Sequence, residues 1–271
     1  MGNPALADLY DELPLWSAPF GLRLLDRVPM KPGMTILDVG AGTGFLTVEL
    51  AQRCGATSTV TAVDPWSEAV QRLRRKIAYL GLTNVVVREE DAAAVDVPDA
   101  SVDLIVSNLG INNFENAGAV LRTCARVARP GAALLLTTNL TGHMAELYEV
   151  YRATLHELGR PDRLAALDAH VAHRGTTESV GALLREAGFA IRTVVTDAFR
   201  MRFADGSSLL RHYFIRLGFV PAWKAIAPPE MVDKTFEALE RNLNAVARDR
   251  GELTLTIPMA CFEAEKPRRS P

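Results

Sequence analysis

Short apolar runs alternate with amphipathic segments along the first half of the chain. Each run is bounded by a breaker: Thr35–Val39 follows Pro32-Gly33, Thr59–Val63 ends at Asp64-Pro65, and Val85–Arg88 follows Asn84. Val102–Ser107 is the fourth run, and Ala132–Thr138 follows Pro130-Gly131. These runs are apolar at consecutive rather than alternate positions, the pattern of strands buried on both faces. Helical spacing predicts Thr43–Arg53, Ser67–Leu80 and Asn116–Val127 between them. Ser67-Glu68 reads as a helix start and Gly81 as a stop. The alternation predicts an α/β fold, a doubly wound and mostly parallel sheet with helices on both faces.

After Thr138 the rhythm changes. His143–Leu158 carries Met144, Leu147, Tyr151, Leu155 and Leu158 at helical spacing. A polar, His-containing stretch spans Asp168–Arg174, and Glu178–Ala187 reads as a helix closed by Gly188. Ala190–Phe203 reads as extended. Ser207–Leu217 and Glu230–Ala247 read as helices, and Glu252–Phe262 alternates like a strand. A late strand pair joined through a helical insertion adds one antiparallel strand near the sheet edge, giving seven strands in all. The expected organisation is one domain over 1–271. Within it, 1–33 forms an N-terminal helical lid, 34–140 a ligand-binding core, and 141–175 with 204–250 a helical cap. Tyr10, Trp16 and Phe20 belong to the lid, where they close over a ligand or simply pack a helix on the sheet edge.

Composition narrows the partners. The 271 residues carry a formal net charge of −2, with 48% apolar and 23% charged residues, ordinary for a globular chain with a large core. Arg72, Arg74, Arg75 and Lys76 share a helix with Val70, Leu73, Ile77 and Leu80, which reads as a solvated face and not a nucleic-acid footprint. No run approaches the ~18 consecutive apolar residues of a membrane span. The three cysteines, Cys54, Cys124 and Cys261, are far apart and form no CxxC pair. His170 and His173 stand three apart, too few ligands for a metal site. The acidic start MGNPALADLYDELPLW does not resemble a secretion signal. The expectation is a reduced, cytoplasmic protein, monomer or homodimer, with no metal, nucleic acid or membrane partner.

The chemistry concentrates in Ile36-Leu37-Asp38-Val39-Gly40-Ala41-Gly42-Thr43-Gly44. Glycines at alternate positions let the chain turn sharply and let a ligand approach the backbone. A loop between a strand and a helix is where doubly wound folds bind nucleotides. The spacing is GxGxG, not the GxGxxG of dinucleotide sites. Asp38 lies within the strand, where a negative charge repels pyrophosphate and favours an ammonium or sulfonium. Asp64 ends the second strand, where an acid accepts hydrogen bonds from ribose hydroxyls. Asp91, with Ala92 behind it, follows the third strand. It reads either as an acceptor for an adenine amino group or as a solvated turn acid.

The run Ile36–Gly44 resembles the first motif of the class I methyltransferases that use S-adenosylmethionine. Ala62-Val63-Asp64 is similar to their second motif, Glu90-Asp91-Ala92 to the adenine-contacting segment, and Ser107-Asn108-Leu109 to the fourth-strand motif. Arg126–Gly131 is similar to the turn before their fifth strand. The likeness covers residues 34–140 in order. It implies a Rossmann-like fold with S-adenosylmethionine as cofactor. The implied contacts are Asp38, Gly40, Ala41, Gly42, Gly44, Asp64, Pro65, Trp66, Asp91, Ala92, Asn108 and Leu109. Trp66 would pack on the adenine or belong to the core. Val106–Leu109, Thr137–Gly142 and Glu146-Leu147 resemble carboxyl methyltransferases that esterify a malonyl carrier protein. The chain departs from that subgroup at Ile111-Asn112-Asn113-Phe114, where a Gln-Trp pair is usual.

The implied function is methyl transfer to an oxygen, nitrogen or carboxylate of a small molecule or carrier-bound acid. Acceptor groups are expected at the carboxyl ends of the strands. Asn108, Asn112, Asn113, Asn139 and His143 fall there, with Asn112, His143 and Tyr10 as positioning candidates. Arg211 and His212 could reach in from the cap. Two other readings stay open: a nicotinamide-dependent oxidoreductase on a similar sheet, and a cofactor-binding relative without turnover.

Overall fold

The computed structural model describes Asp11 and residues 15–268. The expected lid residue Tyr10 lies outside the described residues. Seven strands form one sheet: β1 (Thr35–Val39), β2 (Thr59–Val63), β3 (Val85–Arg88), β4 (Val102–Asn108), β5 (Ala128–Asn139), β6 (Ala190–Phe203) and β7 (Leu253–Glu265). Their order across the sheet is β3-β2-β1-β4-β5-β7-β6. The registers β1/β2, β1/β4, β2/β3 and β4/β5 are all parallel. β7 runs against β5. Gly131 N–H donates to Lys266 O at 2.7 Å while Leu140 N–H donates to Pro258 O at 3.0 Å, so one index falls as the other rises. The expected Rossmann-like sheet, mostly parallel with one antiparallel strand near its edge, is therefore present.

The chain divides into two compact units. Unit 1 holds residues 1–138, 176–196 and 259–271, and unit 2 holds 139–175 and 197–258. In unit 1 the helices are α1 (Ala18–Leu25), α2 (Phe45–Arg53), α3 (Ser67–Leu80), α4 (Ala117–Val127) and α7 (Thr177–Glu186). Unit 2 holds α5 (Ala145–Glu157), α6 (Leu164–Val171), α8 (Gly206–Arg211), α9 (Tyr213–Gly218), α10 (Val220–Lys224) and α11 (Val232–Arg250).

Unit 1 is organised by strand alternation. Ile36, Val60, Leu104 and Val106 join Leu24, Leu46 and Leu50 of α1 and α2 in one buried cluster. The neighbours Leu37, Val39 and Ile105 are equally buried on the opposite side of their strands. The Asn84 amide reaches the carbonyls of Ala51, Gly55 and Ser58, satisfying the end of α2 and the turn into β2. Asp11 pairs with both Arg72 and Lys76 of α3, so part of the basic helix face expected to be solvated is an ion-pair surface.

Unit 2 is built on Tyr151, Leu147, Leu155, Leu239, Leu243 and Trp223, all buried. Tyr151 Oη donates to Trp223 O at 2.9 Å. Several boundaries differ from the sequence expectation. The helix predicted from His143 begins at Ala145, because Met144 adopts φ 54° and cannot continue a right-handed helix. The helix predicted over Ser207–Leu217 is broken at His212, whose ψ of 127° ends α8 and starts α9. The polar stretch predicted over Asp168–Arg174 overlaps α6, whose Leu167 supplies the buried contact.

Candidate functional site

The glycine loop leaves β1 and enters α2, all within unit 1. Gly40 N–H and Ala41 N–H both donate to Val63 O, at 2.9 and 3.1 Å, so the turn is hung on the end of β2. Gly40, Gly42 and Gly44 have φ of 73°, 55° and 90°, the left-handed region that favours glycine. Their reasons for lacking a side chain differ. A Cβ at Gly40 would lie 3.1 Å from Gly110 Cα, and one at Gly44 would overlap Leu73. A Cβ at Gly42 would meet nothing within 4 Å. The loop is thus packed at both ends and open in the middle.

Asp64 stands at that opening. Its Oδ2 accepts from Gly42 N–H at 2.8 Å and its Oδ1 from Trp66 N–H at 2.8 Å. Each oxygen keeps a further lone pair for a ligand hydroxyl. Burial raises the Asp64 pKa, while the N–H groups of Trp66 and Gly42 act against that rise. Asp38 is 1% exposed and accepts from Thr47 Oγ1 of α2 at 2.6 Å. Burial pushes its pKa to about 7, with Thr47 lowering it and Asp64 adding to the rise. A buried carboxylate whose charge is made costlier by a neighbouring one suits a cationic ligand and opposes a pyrophosphate.

The neighbouring strand end is strained and tightly built. Leu109 has φ 65°, a conformation costing a non-glycine residue about 1–2 kcal/mol. Its N–H donates to Thr137 O at 3.1 Å, which holds the turn. Gly110 follows because a Cβ there would come within 2.5 Å of Ser107 Oγ and 2.9 Å of Val39 O. Asn108 is locked: Nδ2 donates to Ser17 O at 3.0 Å, and Oδ1 accepts from Thr137 Oγ1 at 2.6 Å. Asn112 Oδ1 accepts from Thr138 Oγ1 at 2.7 Å, and Asn113 is exposed. Asp91 is exposed and accepts from Ala93 N–H at 2.9 Å, capping a short turn over Ala92–Ala94, whose Ala92 is buried. Pro65 is exposed and Trp66 half-buried.

Sequence reasoning gave no role to Thr47 and Gly110 and placed Ser107 and Thr137 only within family-like runs; these four set the positions of Asp38, Gly40, Asn108 and Leu109. Gly110 directly after the Ser107-Asn108-Leu109 motif was the one readable signal among them. In unit 2, His143 is 3% exposed, Arg211 pairs with Glu240 at 3.0 Å, and His212 packs edge-on to Phe203. Asn139 is buried. Among the described residues no three His, Cys, Asp or Glu side chains gather as metal ligands, and no helix is long and apolar enough to cross a membrane.

A seven-stranded sheet of this order, with an acid under a glycine loop and a second acid on that loop's backbone, defines a nucleotide-cofactor transferase fold. The chain belongs to the methyltransferase domain family, whose pattern it matches over residues 30–188. It is similar to nocamycin O-methyltransferase of Saccharothrix syringae, 28% identical over 94% of either chain. It is also similar to malonyl-[acyl-carrier protein] O-methyltransferase of Halorhodospira halophila, 30% identical over 76% of this chain and 66% of that one. Among solved structures, a SAM-dependent methyltransferase from Aquifex aeolicus superposes with a TM-score of 0.57 at 25% identity, covering 72% of this chain and 93% of that one. The chain is an S-adenosylmethionine-dependent methyltransferase. The nicotinamide reading finds no support, and neither does the reading without turnover.

Proposed function

We propose that this enzyme methylates an oxygen of a small molecule or carrier-bound acid, with the cofactor held by unit 1. The relatives named above as O-methyltransferases support oxygen as the acceptor atom. The observation that carries the cofactor assignment is the open space over Gly42 beside a carboxylate bonded to that residue's N–H.

In this reading Gly40, Ala41, Gly42 and Gly44 line the cofactor, and Asp64 accepts from its ribose. Pro65 and Trp66 border the adenosine end, with Asp91 and Ala92 near the adenine. Asn108 and Leu109 meet the amino-acid part, and Asp38 supplies negative potential beneath it. Asn112 positions the acceptor. When bound, S-adenosylmethionine supplies an activated methyl group, so the chain's task is alignment and exclusion of water more than proton transfer.

S-Adenosylhomocysteine should raise the melting temperature and NADH should not; stabilisation by NADH alone would overturn the assignment. Asp64→Ala should weaken S-adenosylhomocysteine by about 1–3 kcal/mol in calorimetry, because two ligand hydroxyls and two N–H groups lose their acceptor. Unchanged affinity would remove Asp64 from the site.

A further inference from the structure

A relay of hydrogen bonds within unit 1 runs from the turn after β4 to the start of α1. Its direction follows from the donor inventory. A main-chain carbonyl only accepts, so Asn108 must present its donor, Nδ2, to Ser17 O at 3.0 Å. Asn108 Oδ1 then faces Thr137 Oγ1, which donates to it at 2.6 Å. With its proton committed, the Thr137 hydroxyl accepts from Leu109 N–H at 3.3 Å, a donor it shares with the Thr137 carbonyl. Leu109 N–H, Thr137 hydroxyl, Asn108 amide and Ser17 carbonyl thus stand in a line, each donating to the next.

The two ends of the relay join different parts of the site. At one end Leu109 holds φ 65°, and Gly110 after it lies against the glycine loop, where a Cβ on Gly40 would stand 3.1 Å from Gly110 Cα. At the other end Ser17 O also accepts from Gly21 N–H at 3.0 Å, a bond that opens α1. Asn108 therefore grips the carbonyl on which that helix starts.

α1 depends on such a grip. It has eight residues, too few for a helix to persist on propensity alone. Its buried residues are Phe20, Gly21, Leu24 and Leu25, and the two leucines cluster with Leu46 and Leu50 of α2. Gly21 is inside a right-handed helix, so no left-handed backbone calls for a glycine there. Close approach does: a Cβ at Gly21 would lie 2.2 Å from Phe45 Cε1 and 3.3 Å from Asn108 Nδ2. Phe45 is the first residue of α2 and directly follows Gly44 of the loop.

We propose that Asn108 is a positioning residue: its amide seats α1 against the start of α2, and the seated helix holds the Leu109 turn and the glycine loop in the shape that binds S-adenosylmethionine. The role rests on the cofactor reading above. What Asn108 gives the cofactor is the placement of this turn rather than its own amide, whose donor and acceptor ends each have a partner in the relay. Coupling between two equilibria is reciprocal, so cofactor binding also tightens the seat of α1.

The test follows two quantities on the full chain: S-adenosylhomocysteine affinity by calorimetry, and hydrogen exchange of the α1 amides, with the α4 amides as the reference for folding. In the wild type, saturating S-adenosylhomocysteine should slow α1 exchange about tenfold, the scale of an ordinary coupling between sites. Asn108→Leu, close in shape but with neither donor nor acceptor, should weaken the ligand about tenfold and speed α1 exchange. Gly21→Ala, whose methyl displaces the Phe45 ring and keeps the Asn108 amide, should do the same. The double variant should lose little beyond the larger single loss, since both changes act on one seat. Exchange in α4 should stay as in the wild type; should Asn108→Leu disturb it, Gly21→Ala and the wild-type ligand effect still decide. If Asn108→Leu weakens the ligand while α1 exchange is unchanged, Asn108 touches the cofactor directly and the positioning role is overturned. Exchange of α1 that is indifferent to bound ligand overturns it equally. If S-adenosylhomocysteine fails to bind the wild type, the cofactor reading itself falls.

Discussion

At the scale of single residues, Asp38 is the most informative. Its pKa rises from 3.8 to about 7 on folding, with burial the chief cause. Between those values the folded chain keeps a proton that the unfolded chain has released. Asp38 therefore favours folding most below pH 3.8, and the contribution is lost as pH rises to 7. Asp38→Asn keeps an acceptor for Thr47 and removes the titration. Thermal melts between pH 4 and 8 should show a flatter profile for the variant, and S-adenosylhomocysteine should bind about tenfold more weakly to it, the loss of one charge interaction. Cofactor binding to the wild type near pH 7 should release protons, since a cationic ligand favours the ionised carboxylate. The glycines separate two roles. Gly42→Ala should fold with a cost of about 1–2 kcal/mol from its left-handed backbone and bind cofactor poorly, because the new methyl enters the open space. Gly44→Ala should destabilise more, since its methyl overlaps Leu73. Melting and binding measured on both variants would separate packing from ligand room.

Among the elements, the parallel strands were legible because each is a short apolar run between breakers, and β2 and β3 match to the residue. α3 matches from Ser67 to Leu80, since Gly81 ends it in the left-handed conformation. What misled were places where a backbone angle overrides a side-chain pattern: Met144 delays α5, and His212 splits α8 from α9. Neither residue is glycine, so composition carried no warning. The candidate site was legible where its residues sit on one motif, from Asp38 to Gly44. Thr47 and Thr137 were not, because their roles arise from a helix and strands brought side by side in the fold. At α7 the cap is complete: Thr176 Oγ1 accepts from Ser179 N–H, and Ser179 Oγ accepts from Thr176 N–H at 2.9 Å. Thr176→Ala should cost about 1 kcal/mol, read from the denaturation midpoint. No change would mean that this helix end is held by packing alone.

For the whole molecule, the chain passes between the two units at 138/139, 175/176, 196/197 and 258/259. Neither unit is a contiguous stretch, so neither is expected to survive simple truncation. A fragment ending at Thr138 keeps the glycine loop, Asp64 and Asp91. It lacks β7, and β5 then has an open edge where Gly131 loses its partner Lys266. Such a fragment should self-associate and fail to bind S-adenosylhomocysteine, checked by size-exclusion chromatography and calorimetry. A monomeric, binding-competent fragment would show that the sheet closes without its late strand.

That late strand has a further consequence, for synthesis. β7 begins at Leu253, yet it fills the gap between β5, finished at Asn139, and β6, finished at Phe203. A ribosome adding about 5–20 residues per second needs on the order of ten seconds to travel from Asn139 to Leu253. Throughout that interval the nascent chain presents β5 and then β6 without the strand that joins them. Translation speed over this stretch, and whatever shields an open sheet edge in the cell, should therefore govern the yield of active enzyme more than the stability of the finished fold does.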